Sequence, residues 1–138
     1  MPGYWGTPLP KKLGLQSGFR VCLVKVPSGV RSELHDALAA CTVVDRAVSP
    51  LDLALVFALS QADLEHAIVR VEPRLTPAGS VWAAWPKKSS GVSTDLDERT
   101  VRTIGLATGW VDVKVCAITE VWSGLKFVRR VKDRKLAC

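Results

Sequence analysis

Lys87 and Lys88 are followed at once by Ser89, Ser90, Gly91, Ser93 and Thr94, which puts two ammonium groups, four hydroxyls and a glycine into eight positions. That set suits an oxyanion. The ammonium groups neutralise charge, the hydroxyls and backbone N–H groups donate hydrogen bonds, and the glycine lets the main chain come close. Pro86 stiffens the entry to this loop. Thr94 or Asp95 is placed to cap a following helix, whose first amides would add donors. The expected ligand is a small phosphorylated or carboxylated molecule. Trp85 adjoins Pro86 and is assigned to the same site, and Trp122 beside a turn is a second aromatic candidate. Lys11 and Lys12 are expected to return to this region, because little chain separates them from the first strand. The pattern departs from G-x-x-x-x-G-K-[ST], so nucleoside triphosphate hydrolysis has no support.

No catalytic set accompanies the loop. His66 falls on the polar side of a helix with Asp63 and Arg70, His35 lies on a short helix flank, and both read as solvated. No serine stands in G-x-S-x-G, and Asp95, Asp97 and Glu98 are explained by helix capping. The four cysteines, Cys22, Cys41, Cys116 and Cys138, make no C-x-x-C pair and no zinc spacing with either histidine. Cys22 and Cys116 fall in apolar runs, where a thiol behaves as a small hydrophobe. No metal is expected, and the enzyme question leans towards no.

The elements that must position the loop can be read on either side of it. Phe19–Val26 is a β-branched run bounded by turn residues, hence a strand. Ser32 is expected to cap a short helix to about Ala40, and Thr42–Asp45 reads as a short second strand. Leu51–Leu59 is the clearest strand, nearly all apolar as a doubly covered strand should be. Ser60 caps the next helix, with Leu64, Ala67, Ile68 and Val71 on one face, and Pro73 limits it. Thr76–Gly79 turns the chain into the strand Ser80–Trp85. After the Lys87–Thr94 loop comes a helix closed by Gly109, then strands Trp110–Ile118 and Leu125–Arg130 around a turn at Ser123–Gly124.

This alternation predicts an α/β, Rossmann-like fold: a mostly parallel sheet covered by helices on both faces, closed by an antiparallel hairpin. Only Arg46–Pro50 joins the second and third strands, too short for a crossover helix. Either Thr42–Asp45 is a stub at the sheet edge or the link runs back fully extended. Residues 1–13 read as an extended arm, 14–130 as one domain, and 131–138 as a basic, disordered tail.

The 138 residues carry a net charge of +6, with Lys126, Arg129, Arg130, Lys132, Arg134 and Lys135 crowded near the end. A basic tail attracts polyanions, nucleic acid included. The longest clean apolar stretch, Leu53–Leu59, is far below the roughly 20 residues of a membrane span. Pro2, Gly3, Pro8 and Pro10 occupy the place of a signal-peptide core, so the cytoplasm is expected. Oligomeric state is not legible.

Leu51-Asp52-Leu53-Ala54-Leu55-Val56 resembles the fourth strand of class I methyltransferases. Leu75–Val81 resembles their "leucine-x-proline-glycine-glycine" turn, and the terminal hairpin resembles their last two strands. The segments Gly6–Gly14, Trp85–Leu96 and Trp122–Val128 resemble a bacterial family of small cytosolic proteins of unknown function. The methyltransferase resemblance implies an acid and a glycine-rich turn after the first strand, and an acid after the second that holds a ribose. The chain reads Lys25-Val26-Pro27-Ser28-Gly29 at the first place and offers Asp45 at the second, as a ribose-holding acid or a turn residue. No cofactor is therefore expected, and S-adenosylmethionine is not expected to bind at sub-millimolar concentration. The leading expectation is non-enzymatic binding of a small anion at the strand carboxyl ends. The alternatives are a divergent S-adenosylmethionine-dependent methyltransferase, or a basic module that engages nucleic acid or protein.

Overall fold

The computed structural model describes residues 7–44, 46–48 and 50–134. Six strands form one sheet in the order β2-β1-β3-β4-β6-β5. They are β1 Arg20–Val24, β2 Thr42–Val44, β3 Leu51–Phe57, β4 Leu75–Pro86, β5 Trp110–Ala117 and β6 Trp122–Arg129. The first four run parallel, and β6 is antiparallel to both of its neighbours. This is the Rossmann-like mixed sheet with a closing antiparallel strand that the sequence predicts.

Both faces are covered. Helices α1 (Leu9–Leu13) and α2 (Ser28–Ala39) lay Leu9, Leu13, Val30 and Leu34 against Val21, Leu23, Leu53, Leu55, Phe57 and Trp82. Helices α3 (Gln61–Val71) and α4 (Glu98–Ala107) lay Leu64, Ile68, Val71 and Val101 against Cys22, Ala54, Val56, Val81 and Phe127. Strand β3 sends alternate side chains into the two clusters, which is why its sequence is a continuous apolar run. Ser60 caps α3 as expected, accepting from Asp63 N at 3.1 Å.

Several local expectations are corrected. Leu9–Leu13 is no extended arm: Leu9 and Leu13, four residues apart, are buried and Trp82 Nε1 donates to Leu13 O at 2.9 Å. Pro10 is tolerated because the first turn of a helix needs no N–H there. Helix α2 opens at Ser28 behind Pro27, a turn earlier than Ser32, since proline presets the entry and Val30 adds to the buried face. The cap of α4 is Asp97, which accepts from Thr100 N at 2.8 Å, and neither Thr94 nor Asp95. Gly109 does close that helix, with φ of 97°. Ser123 and Gly124 lie inside β6; a Cβ on Gly124 would stand 2.7 Å from Ile118 Cδ1, so this glycine serves packing and not a turn. Thr76–Gly79 bulges within β4, between the pairs Leu51–Leu75 and Leu53–Ser80. Val131–Arg134 is a helical turn, and the rest of the tail lies outside the described residues.

The short β2–β3 link is resolved in favour of both options. Strand β2 is a three-residue edge, and the link crosses β1 without a helix. Val44 pairs with Cys22, which is level with Ala54, so the chain must return three residues along the sheet to reach Leu51. That is about 10 Å along and about 10 Å across, within the roughly 24 Å that seven Cα steps allow. Ala47 packs on the face of α3. The link therefore crosses on the face opposite α2 while moving in the opposite direction, so all the parallel crossovers share one hand.

Candidate functional site: the carboxyl-end edge of the sheet

The chain leaves β1 over one face through α2 and leaves the adjacent β3 over the other through α3. Open α/β sheets take ligands where neighbouring connections diverge in this way. That point of divergence is flanked by the turn Lys25–Pro27 and the segment Ala58–Ser60. Lys25 has φ of 54°, the one non-glycine residue with positive φ among the described residues. A left-handed backbone costs a non-glycine residue about 1–2 kcal/mol, so the turn keeps a bend that glycine would make freely. The Lys25 ammonium stands 3.7 Å from Asp63 on α3, with both side chains substantially exposed.

Beside this point, on the α3 flank of β1, lies a cavity of about 110 Å³. Its apolar floor includes Cys22, Val24, Ala67 and Val71, and its rim carries Lys25, Arg46, Asp63, His66 and Arg70. The volume is well below the roughly 300 Å³ of a pocket for a drug-sized ligand. Sequence reasoning assigned Asp63, His66 and Arg70 to a solvated face and missed this grouping. The signal that could have found it was Lys25 at the mouth of β1, paired with a link too short to carry a covering helix.

The Lys87–Thr94 loop stands at the carboxyl end of β4, as placed from the sequence. Two of its four hydroxyls, Ser90 and Thr94, and the amides of Lys87, Ser90, Gly91 and Val92 are engaged within the protein. Ser90 Oγ donates to Lys87 O at 2.6 Å and accepts from Val92 N, while Ser90 N and Gly91 N bond back to Lys87 and Lys88. Thr94 Oγ1 donates to Leu59 O at 2.6 Å, and Asp95 accepts from Gln61 N at 2.8 Å, tying the loop to the start of α3. Lys88, Ser89, Gly91 and Ser93 are exposed, Lys87 is half-buried, and the shallow depression along Lys88–Asp97 also carries Asp95 and Asp97. The carboxyl of Asp97 is held below its ordinary range, first by the Thr100 backbone N–H and then by the Thr100 hydroxyl.

The two tryptophans and the paired lysines divide differently. Trp85 is buried in the α3–α4 core, and Trp122 meets Phe57 edge-on at 4.9 Å between centroids. Lys12 Nζ donates to Ala117 O at 3.4 Å, at the end of β5, and Lys114 Nζ donates to Lys12 O. Lys12 thus reaches the carboxyl-end edge two strands away from Lys87, and Lys11 is exposed on α1. Lys126 lies directly across the β5–β6 ladder from Lys114. Burial, then the Lys114 charge, lowers its ammonium pKa. Burial raises the Cys116 thiol, partly offset by Lys12 and Lys114. Asp45 lies outside the described residues. Among the described residues no group of metal-ligating side chains occurs, and no helix is long and apolar enough to cross a membrane.

No family model matches the chain, and no curated protein matches it in sequence. Solved structures share its fold. A SAM-dependent methyltransferase from Aquifex aeolicus superposes with a TM-score of 0.57 at 13% identity, covering 85% of this chain and 85% of its own. Magnesium protoporphyrin IX methyltransferase from Synechocystis, solved with bound SAH, gives 0.55 at 12% identity, covering 88% and 78%. The fibrillarin pre-rRNA processing protein of Methanococcus jannaschii gives 0.53 at 12% identity, covering 92% and 70%. The fold is that of the class I, Rossmann-like methyltransferases.

Proposed function

We propose that this protein is a divergent S-adenosylmethionine-dependent methyltransferase whose ligand lies across the β1–β3 crevice. The topology carries the reading: the strand order β2-β1-β3-β4-β6-β5 with β6 reversed belongs to a fold shared with methyltransferases over most of the chain. One of these is solved with S-adenosylhomocysteine, which supports a nucleoside-class ligand over a bare anion. The cofactor would supply an activated methyl group. The side chains of the first turn do not fit it in its usual form: Val26, Pro27 and Ser28 stand in place of glycines, and Lys25 replaces an acid. An ammonium at that position repels a sulfonium, so the demethylated product, which lacks that charge, is the favoured ligand. No step of methyl transfer follows from these residues.

Calorimetry and thermal melts with S-adenosylmethionine and S-adenosylhomocysteine test the reading. The expected result is micromolar binding of the homocysteine form and weaker binding of the sulfonium form. A Kd of about 10 µM would stabilise the fold by about 2.7 kcal/mol at about 1 mM ligand. Neither compound raising the melting temperature at that concentration would end the methyltransferase reading. A second reading, non-enzymatic binding of a small anion, is favoured by one observation, the cationic rim and small volume of the cavity beside β1.

A further inference from the structure

We infer that the cavity on the α3 flank of β1 is a binding site for a phosphorylated small molecule, a phosphomonoester on a compact apolar group. The inference rests on the second reading above, the small-anion site beside β1, and the cavity shares Lys25 with the crevice. Its origin is topological. Strand β2 is three residues long and, among the described residues, the link to β3 carries no helix; beside α3 the flank of β1 carries Arg46 and Ala47. What remains is an enclosure with an apolar floor and a charged rim.

The rim selects the ligand. The rim carries the cations Lys25, Arg46 and Arg70 and one carboxylate, Asp63, a surplus of two positive charges among the described residues before His66 is counted. A phosphomonoester carries about 1.5–2 negative charges at pH 7, which matches that surplus better than a monocarboxylate does. Two guanidinium groups suit its oxygens, since each offers a planar fork of donors. The competing internal pair is weak: Lys25 and Asp63 are 3.7 Å apart with side chains 68% and 49% exposed, so water screens them and Lys25 can turn to a ligand. The floor of Val24, Ala67 and Val71 accepts an apolar substituent. Inorganic phosphate should therefore bind less tightly than a monoester. The Lys87–Thr94 loop commits the Ser90 and Thr94 hydroxyls to its own chain, whereas the rim's internal pairing is the exposed Lys25–Asp63 contact.

The test uses the full chain at constant ionic strength, with phenyl phosphate and inorganic phosphate as probes and backbone amide shifts as the readout. Phenyl phosphate should bind saturably and more tightly than phosphate, with the shifts gathered on Lys25, Ala47, His66 and Arg70. Arg70→Gln and Arg46→Gln, both at exposed positions, should each weaken binding about tenfold, while Lys88→Gln removes the same charge and should leave it unchanged. Ala67→Leu should block the monoester by filling the floor without altering charge. The site is refuted if no saturation is seen, if the shifts spread over the basic surface, or if Lys88→Gln weakens binding as much as Arg70→Gln does.

Discussion

Helix α4 sits so close to β6 that Gly105 has no room for a side chain. A Cβ built there would stand 2.2, 2.3 and 2.7 Å from three atoms of the Phe127 ring, and Phe127 is fully buried beside Trp110. Gly105→Ala in an open helix would stabilise by about 1 kcal/mol through helix propensity. Overpacking a dense core costs about 1–3 kcal/mol, and with contacts this short against a ring that cannot move into solvent the upper part of that range applies. The net expectation is a loss of about 1–2 kcal/mol, or a melting temperature lower by about 4–7 °C in a domain of this size. Gly29→Ala is the control: Gly29 is exposed in the first turn of α2 with nothing within 4 Å, so the same substitution should be neutral or slightly stabilising. Urea and thermal melts of Gly29→Ala, Gly105→Ala, Phe127→Leu and the Gly105→Ala/Phe127→Leu double variant give the coupling. Trimming the ring should make the double variant lose less stability than the two single losses added together. If Gly105→Ala is as stable as the parent, or if Phe127→Leu gives no relief, the close seating of α4 on β6 is wrong, and with it the placement of the loop that α4 anchors.

Three further outcomes follow from the same structure. Val56 is fully buried between the two helical layers, so Val56→Asp leaves a buried, unpaired charge and should abolish soluble expression; a cooperatively folding variant would disprove the doubly covered sheet. Arg129 binds the Glu72 carboxylate and donates to Glu72 O at 2.7 Å and Leu75 O at 3.1 Å, joining the end of β6 to the turn before β4. Arg129→Lys cannot keep that fork and should cost about 1–3 kcal/mol by urea melts, whereas an unchanged midpoint would show the clamp to be idle. The folded-state pKa of Asp97 is depressed, so its contribution is present above the ordinary carboxylate range and is lost as pH falls through about 4 and below. Asp97→Asn keeps an accepting oxygen without titrating, so the melting temperature of the parent should fall more steeply on acidification than that of the variant; parallel curves would remove Asp97 from the acid response.

The comparison between expectation and structure sorts by the range of the forces involved. Strand β3 was legible because a continuous apolar run bounded by polar residues has few other uses, and the cap at Ser60 because serine three residues before Asp63 is a local signal. The α1 turn was missed because prolines and glycines around it read as an arm, while the reason for its helix, two leucines that close over Trp82, is non-local. Ser123–Gly124 read as a turn for the same reason: glycine is as valuable under a packed Ile118 as in a bend, and only the contact distinguishes them. The cap of α4 moved from Thr94 or Asp95 to Asp97 because those two residues are drawn to Leu59 and Gln61, partners more than thirty positions away.

The candidate site divides along the same line. By itself the sequence determined the fold class, the doubly covered β3, the missing helix between β2 and β3, and the place of the Lys87–Thr94 loop at a strand end, because apolar period and chain length act locally. Only the tertiary structure decided which polar groups are available. It committed the Ser90 and Thr94 hydroxyls to carbonyls of the chain while leaving Ser89 and Ser93 exposed, and it gathered Lys25, Arg46, His66 and Arg70 from three separate segments around one cavity. Hydrogen-bond satisfaction and charge proximity are properties of positions in space, and residues as far apart as Lys25 and Arg70 acquire them only when β1 and α3 pack side by side.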